Sequence, residues 1–139
     1  MPEPKGAVAE AIGGTDFVGD MTREGDVQAL IELAEETYGA VDVFCSNAGI
    51  IRLGGEDAPD AEWQLCWDLH LMAHVYAARL LAPKMAERGD GYFVNTASAA
   101  GLLSHPNSAT YAVTKHAAVA FAEWLAINYG DKGVKASVL

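Results

Sequence analysis

Asn95-Thr-Ala-Ser-Ala-Ala-Gly-Leu-Leu-Ser-His-Pro-Asn-Ser-Ala-Thr-Tyr-Ala-Val-Thr-Lys115 is the stretch on which the reading of this chain turns. Just before it, Tyr92-Phe93-Val94 is a short apolar run that reads as the end of a buried strand. The stretch then crosses a loop of small residues that holds Ser98 and breaks at Pro106. It enters a long helical pattern carrying Tyr111 and Lys115. Residues four apart lie on one helix face, one turn from each other. An ammonium in that position favours the phenolate form of a tyrosine. Such a tyrosine can take or give a proton at an alcohol or carbonyl oxygen. Ser98, on the loop before the helix, is placed to hold the same oxygen with its hydroxyl.

Outward from this unit, strand and helix patterns alternate. Gly91 to Thr96 is a strand, Ser108 to Tyr129 an alanine-rich helix, and Val134 to Leu139 a further strand. Upstream, Ala61 to Arg88 reads as one long helix. Trp63, Trp67, Leu71, Ala78 and Leu81 line one side of it, and Leu65, Leu69, Met72, Tyr76 and Leu80 another. A helix apolar nearly all round is buried on two sides, so its second side is expected to meet a partner chain. Val41 to Cys45 is a strand that runs into Ser46-Asn47-Ala48-Gly49. The helix at 23–38 shows a single apolar stripe, with Thr22 as its expected N-cap and Gly39 just past its end. Thr15 to Gly19 is expected to be a strand with Asp20 at its carboxyl end, and residues 1–14 a helix tail ended by Gly13-Gly14.

This alternation implies an α/β fold, a parallel sheet flanked by helices, as one domain over 1–139 with about four strands and two long helices in three layers. Ligands bind such sheets outside the carboxyl ends of the strands. Asp20, Ser46 to Gly49 and Ala97-Ser98 all fall there, where the Tyr111 helix also begins.

Composition removes several function classes. With 9 Lys+Arg against 19 Asp+Glu, the formal charge of −10 argues against nucleic acid and anionic membrane as partners. No apolar run approaches the roughly 18 to 20 residues of a membrane span, and no signal peptide is visible. Cys45 and Cys66 stand apart, as in a reducing cytoplasm, so a cytoplasmic location is expected. His70 and His74 are four apart but lack a supporting ligand frame, so no metal site is expected.

On these residues the chain resembles the short-chain dehydrogenase/reductase family, with its Rossmann-like doubly wound sheet. Ser46-Asn47-Ala48-Gly49 is similar to the family's Asn-Asn-Ala-Gly motif. Ser98 followed by Tyr111 and Lys115 is similar to its Ser…Tyr-x-x-x-Lys site, and Asp20-Met21 to the acidic position that touches adenine. The resemblance implies NAD or NADP as cofactor and hydride transfer to or from an alcohol or carbonyl carbon. Tyr111 would be the general acid/base, and Lys115 would support it and hold the nicotinamide ribose. Ser98 would orient the substrate oxygen beside Tyr111. Asp20, Met21, Asn47, Ala48 and Gly49 would contact the cofactor. His70 stands where the family has a relay asparagine, and is read either as a proton relay or as a core histidine. Asp20 is likewise read either as a cofactor contact or as a helix-capping acid. A relative that uses the nicotinamide for epimerisation or dehydration carries the same three catalytic residues.

The family's glycine-rich phosphate loop has no counterpart, since Gly13-Gly14 ends a helix rather than following a strand. The chain therefore reads as an internal fragment of a longer enzyme. That enzyme is expected to be a homo-oligomer joined through the helices at 61–88 and 108–129. The competing reading is a truncated product without turnover that keeps only helix-mediated association.

Overall fold

The computed structural model of the chain describes residues 6–139. The first five residues of the expected helix tail lie outside that range. From Ala7 to Ile12 the chain forms α1, closed by the left-handed Gly13. The long amphipathic segment becomes α2, Glu24–Tyr38, buried through Val27 and Ile31. Gly39 ends it at φ 84°, a conformation that suits glycine, and its N–H donates to the Glu35 carbonyl at 3.0 Å. Thr22 does not cap this helix. Its N–H and Oγ1 both donate to Asp20 Oδ1, at 3.0 and 2.7 Å, and Arg23 takes the extended capping position.

Three strands make one parallel sheet in the order β1 Val43–Ser46, β2 Gly91–Asn95, β3 Val134–Val138. Their register aligns Phe44 with Phe93 and Phe93 with Ala136. Because side chains alternate across a strand, these three point to one face. The core gathers there, with Val27 and Ile31 from α2, Leu81 and Met85 from the next long helix, and Leu125 from the last. Val43 and Lys135, one position earlier in register, are exposed on the opposite face. The Rossmann-like parallel α/β reading holds, with two layers among the described residues where three were expected.

Thr15 to Gly19 is extended but joins no ladder, so the sheet has three strands rather than about four. An extended segment becomes a strand only when a neighbour takes its backbone hydrogen bonds. Among the described residues none lies beside it, and Val18 stays 76% exposed. Thr15 Oγ1 instead meets Tyr38 Oη at 2.7 Å, fastening the segment to the end of α2.

The helix expected at 61–88 is continuous in direction but not in winding. It runs as α3, Asp60–Trp67, a π-turn over Asp68–Met72, and α4, Ala73–Arg88. The wider turn carries His70 into the interior, where it is fully buried. After β2, a short 3₁₀ turn at Ala99–Gly101 leads to α5, Ala109–Tyr129. Ser108 caps α5 by accepting from the Tyr111 N–H at 3.2 Å.

Candidate active site

Tyr111, Lys115, Ser98, Asn47 and Gly49 line one open cleft at the carboxyl end of the sheet, together with Ile50, Ile51, Thr96, Ala97 and His105. The loops after Ser46 and Ala97 and the start of the Tyr111 helix therefore meet as expected, while Asp20 stays outside the cleft. In a chain of formal charge −10, not one of these lining residues is a carboxylate. The charged group of the cleft is a cation, Lys115.

Lys115 is 3% exposed and its Nζ donates to the Thr96 carbonyl at 3.0 Å. An ammonium has three donors, and this one has a single partner among the described residues. Burial draws its pKa below the ordinary lysine value. Nζ sits 5.5 Å from the Tyr111 ring centroid, close enough to act on the phenol electrostatically.

Thr96, which the sequence did not single out, organises this corner. Its N–H donates to the Ser46 carbonyl at 2.9 Å, its Oγ1 to Asn47 Oδ1 at 2.9 Å, and its carbonyl receives Lys115. Asn47 is thereby oriented with its amide nitrogen free. At Gly49 a Cβ would stand 3.5 Å from both Lys115 Nζ and His70 Nε2, filling space in front of the ammonium.

Ser98 occupies an extended position, and its Oγ accepts from the Ala100 N–H at 3.2 Å. The acceptor side of the hydroxyl is used and its proton is free for an incoming oxygen. The following turn presses close to α5 through Gly101, where a Cβ would come within 2.9 Å of the Lys115 carbonyl. Only a residue without a side chain allows that approach.

His70 and Tyr111 meet edge to face, with ring centroids 5.5 Å apart. The Ile50 N–H donates to His70 Nε2 at 3.1 Å, so that nitrogen carries no proton. Nδ1 therefore bears the hydrogen and donates to Thr114 Oγ1 at 2.8 Å, and Thr114 passes its own hydroxyl hydrogen to the Thr110 carbonyl at 2.7 Å. Burial first, and the nearby Lys115 charge second, lower the His70 pKa to about 4. Both nitrogens have partners within the fold, Nε2 the Ile50 N–H and Nδ1 the Thr114 hydroxyl. The ring ties the loop after Gly49 to α5.

The adenine-side expectation divides. Met21 joins Ser46, Asn47, Ala48 and His74 around a separate cavity of about 70 Å³ that adjoins the cleft through Asn47. Asp20 lines neither space. It is exposed, and its carboxylate is held below the usual range by the Thr22 hydroxyl and N–H. That is the behaviour of a turn-forming acid.

His105, also missed, lies on the loop between Ser98 and α5 with its ring centroid 5.9 Å from that of Tyr111. The only signal for it in the sequence is its place just before Pro106, which biases it to an extended conformation. No group of three or more potential metal ligands occurs among the described residues, and no helix of these is long and apolar enough to cross a membrane.

Comparison with known proteins places this cleft in context. A family model described as short chain dehydrogenase matches residues 5–139. The chain is 33% identical over 135 residues to 2-(S)-hydroxypropyl-CoM dehydrogenase 3 of Xanthobacter autotrophicus, covering 96% of this chain and 51% of that protein. L-Sorbose reductase of Gluconobacter frateurii, solved with NADPH and L-sorbose, matches at TM-score 0.87 and 28% identity over 95% of this chain and 51% of that one. Gluconate 5-dehydrogenase of Burkholderia cenocepacia, solved with NADP and tartrate, matches at TM-score 0.80 and 30% identity over 87% and 48%. The chain spans about half the length of the curated relatives it matches.

Proposed function

The chain belongs to the short-chain dehydrogenase family, and from that premise we propose that it carries the catalytic half of an NAD(P)-dependent oxidoreductase acting on an alcohol or carbonyl carbon. The observation that carries the reading is the convergence of Ser98, Tyr111, Lys115, Asn47 and Gly49 on one cleft free of carboxylates.

The donor set fits a dinucleotide. Two ammonium hydrogens of Lys115 lack protein acceptors among the described residues, and a ribose diol answers them. Asn47, Ala48 and Gly49 offer a short-side-chain edge along the same cofactor, with Met21 on the adenine side. A nicotinamide bound there supplies hydride acceptance or donation. The protein's share is proton transfer and placement. Tyr111 gives or takes the proton at the substrate oxygen, and Lys115 holds the phenolate electrostatically. Ser98 donates its free hydroxyl hydrogen to that oxygen and fixes the angle of approach. His70 acts through the loop it anchors and is a positioning residue. The NADPH and NADP found in the two related structures support this choice of cofactor class.

Tyr111→Phe tests the proposal: turnover falls by a factor on the order of 10² to 10⁴ while cofactor still binds. Unchanged turnover in this variant would remove Tyr111 from its role. A second reading, association through α4 and α5 without turnover, draws on the half-exposed Trp124 and the exposed Ile127 on α5. Titrating NADPH into the chain and following its fluorescence separates the two, because saturable binding counts against a purely associative product.

A further inference from the structure

His105 lines the cleft with a polar side chain to which the proposed chemistry gives no role. Its position is fixed: the Ser108 N–H donates to its carbonyl at 3.1 Å, Pro106 follows it, and its ring packs on the edge of Tyr111. Nδ1 is buried and has no hydrogen-bond partner. A buried N–H without an acceptor costs more than an unpaired lone pair there, so the hydrogen belongs on Nε2. Nδ1 is the buried nitrogen of a ring that lines the cleft, which leaves Nε2 for a guest there, and Nε2 makes no hydrogen bond among the described residues. The ring thus offers one N–H donor beside the phenol and across from no carboxylate.

We propose that His105 is a specificity-determining residue whose Nε2–H binds a second oxygen of the substrate, on a carbon adjacent to or one removed from the reacting carbon. The substrate class is then an alcohol or ketone with a neighbouring hydroxyl, carbonyl or carboxylate. This rests on the oxidoreductase reading for its kinetic consequence, but not for its binding consequence.

Acetoin and butanone share a carbon skeleton and differ by one hydroxyl, so they make a matched pair of probes. If the chain has turnover, acetoin is favoured over butanone in kcat/KM. His105→Leu reduces that preference about fivefold to tenfold, the worth of one neutral hydrogen bond. His105→Gln, which keeps an N–H donor, restores part of it. A preference unchanged in His105→Leu overturns the proposal. The second measurement is independent of turnover: the imidazole resonances of His105, followed by ¹⁵N NMR in the unsubstituted chain and in Tyr111→Phe. A shift with acetoin and none with butanone supports the assignment even if no hydride transfer is ever seen, in which case only the oxidoreductase reading fails. Equal shifts with both probes, or none with either, overturn the assignment of His105 while leaving Tyr111 untouched.

Discussion

Two imidazoles flank Tyr111 at nearly the same distance, 5.5 Å for His70 and 5.9 Å for His105, and the molecule treats them in opposite ways. On the inner flank every hydrogen-bonding atom of the ring is satisfied by the protein, and the ring is sealed from solvent. On the outer flank Nδ1 is buried without a partner, and neither nitrogen makes a hydrogen bond among the described residues. The difference teaches that nearness to a reactive group does not define a role. A buried polar group whose bonds are complete holds the structure, whereas one whose bonds are open waits for something to arrive.

The largest way to test this contrast is to remove what lies between the two. Tyr111→Phe keeps both ring contacts and should cost turnover by a factor on the order of 10² or more, with thermal stability nearly unchanged. Stopped-flow or steady-state measurement of cofactor reduction reads the first, and a melting curve the second. Next in size is His70→Leu. It leaves the Ile50 N–H without its acceptor and Thr114 Oγ1 without the bond it accepts, so unfolding in urea should reveal a loss of roughly 1 to 3 kcal/mol. His105→Leu, read in the same urea experiment, should change stability by less than about 1 kcal/mol, because no protein hydrogen bond is broken. Equal losses in the two variants would erase the distinction.

Acidification sharpens it further. His70 and His74 are both held neutral, each with a pKa lowered to about 4, chiefly by burial. The unfolded chain binds protons at these residues near the ordinary histidine value, about 6.5. Between the two values the unfolded state carries more protons, so the stability that these neutral rings confer is intact above about pH 6.5 and drains away toward pH 4. Urea midpoints across that window should fall, and they should fall less steeply in His74→Gln. The smallest effect is expected at the exposed Asp20, which lines neither the cleft nor the cavity beside it. Its Ala substitution should change NADPH affinity by no more than about twofold, as for an ordinary exposed site. Isothermal titration measures it, and a tenfold loss would return Asp20 to the cofactor site.

What the sequence revealed follows the range of the forces involved. The strands at 91–96 and 134–139, the α2 stripe and the Tyr111/Lys115 pair are written in periodicity, which is local, and all were legible. Thr15 to Gly19 was not, since strand character depends on a neighbour and no pattern within the segment reports whether one is present. The π-turn at Asp68–Met72 leaves the run of apolar residues unbroken, so hydropathy gave no warning of it. Thr96 escaped notice because it works largely through its backbone N–H and carbonyl, which every residue possesses. His70 was visible as a position, yet its behaviour depends on Ile50 and Thr114, which lie 20 and 44 residues away.

Thr96 also gives the cleft a listening post inside the sheet. Its amide hydrogen is held by Ser46 while its carbonyl is shared with the Lys115 ammonium. Any guest that draws Lys115 forward releases or tightens the peptide that follows Thr96, and the pull reaches the preceding peptide, which bears this N–H, through the Thr96 α-carbon. Hydrogen–deuterium exchange at this single amide should therefore change pace when the cleft fills, reporting occupancy with no chromophore, no label and no turnover required.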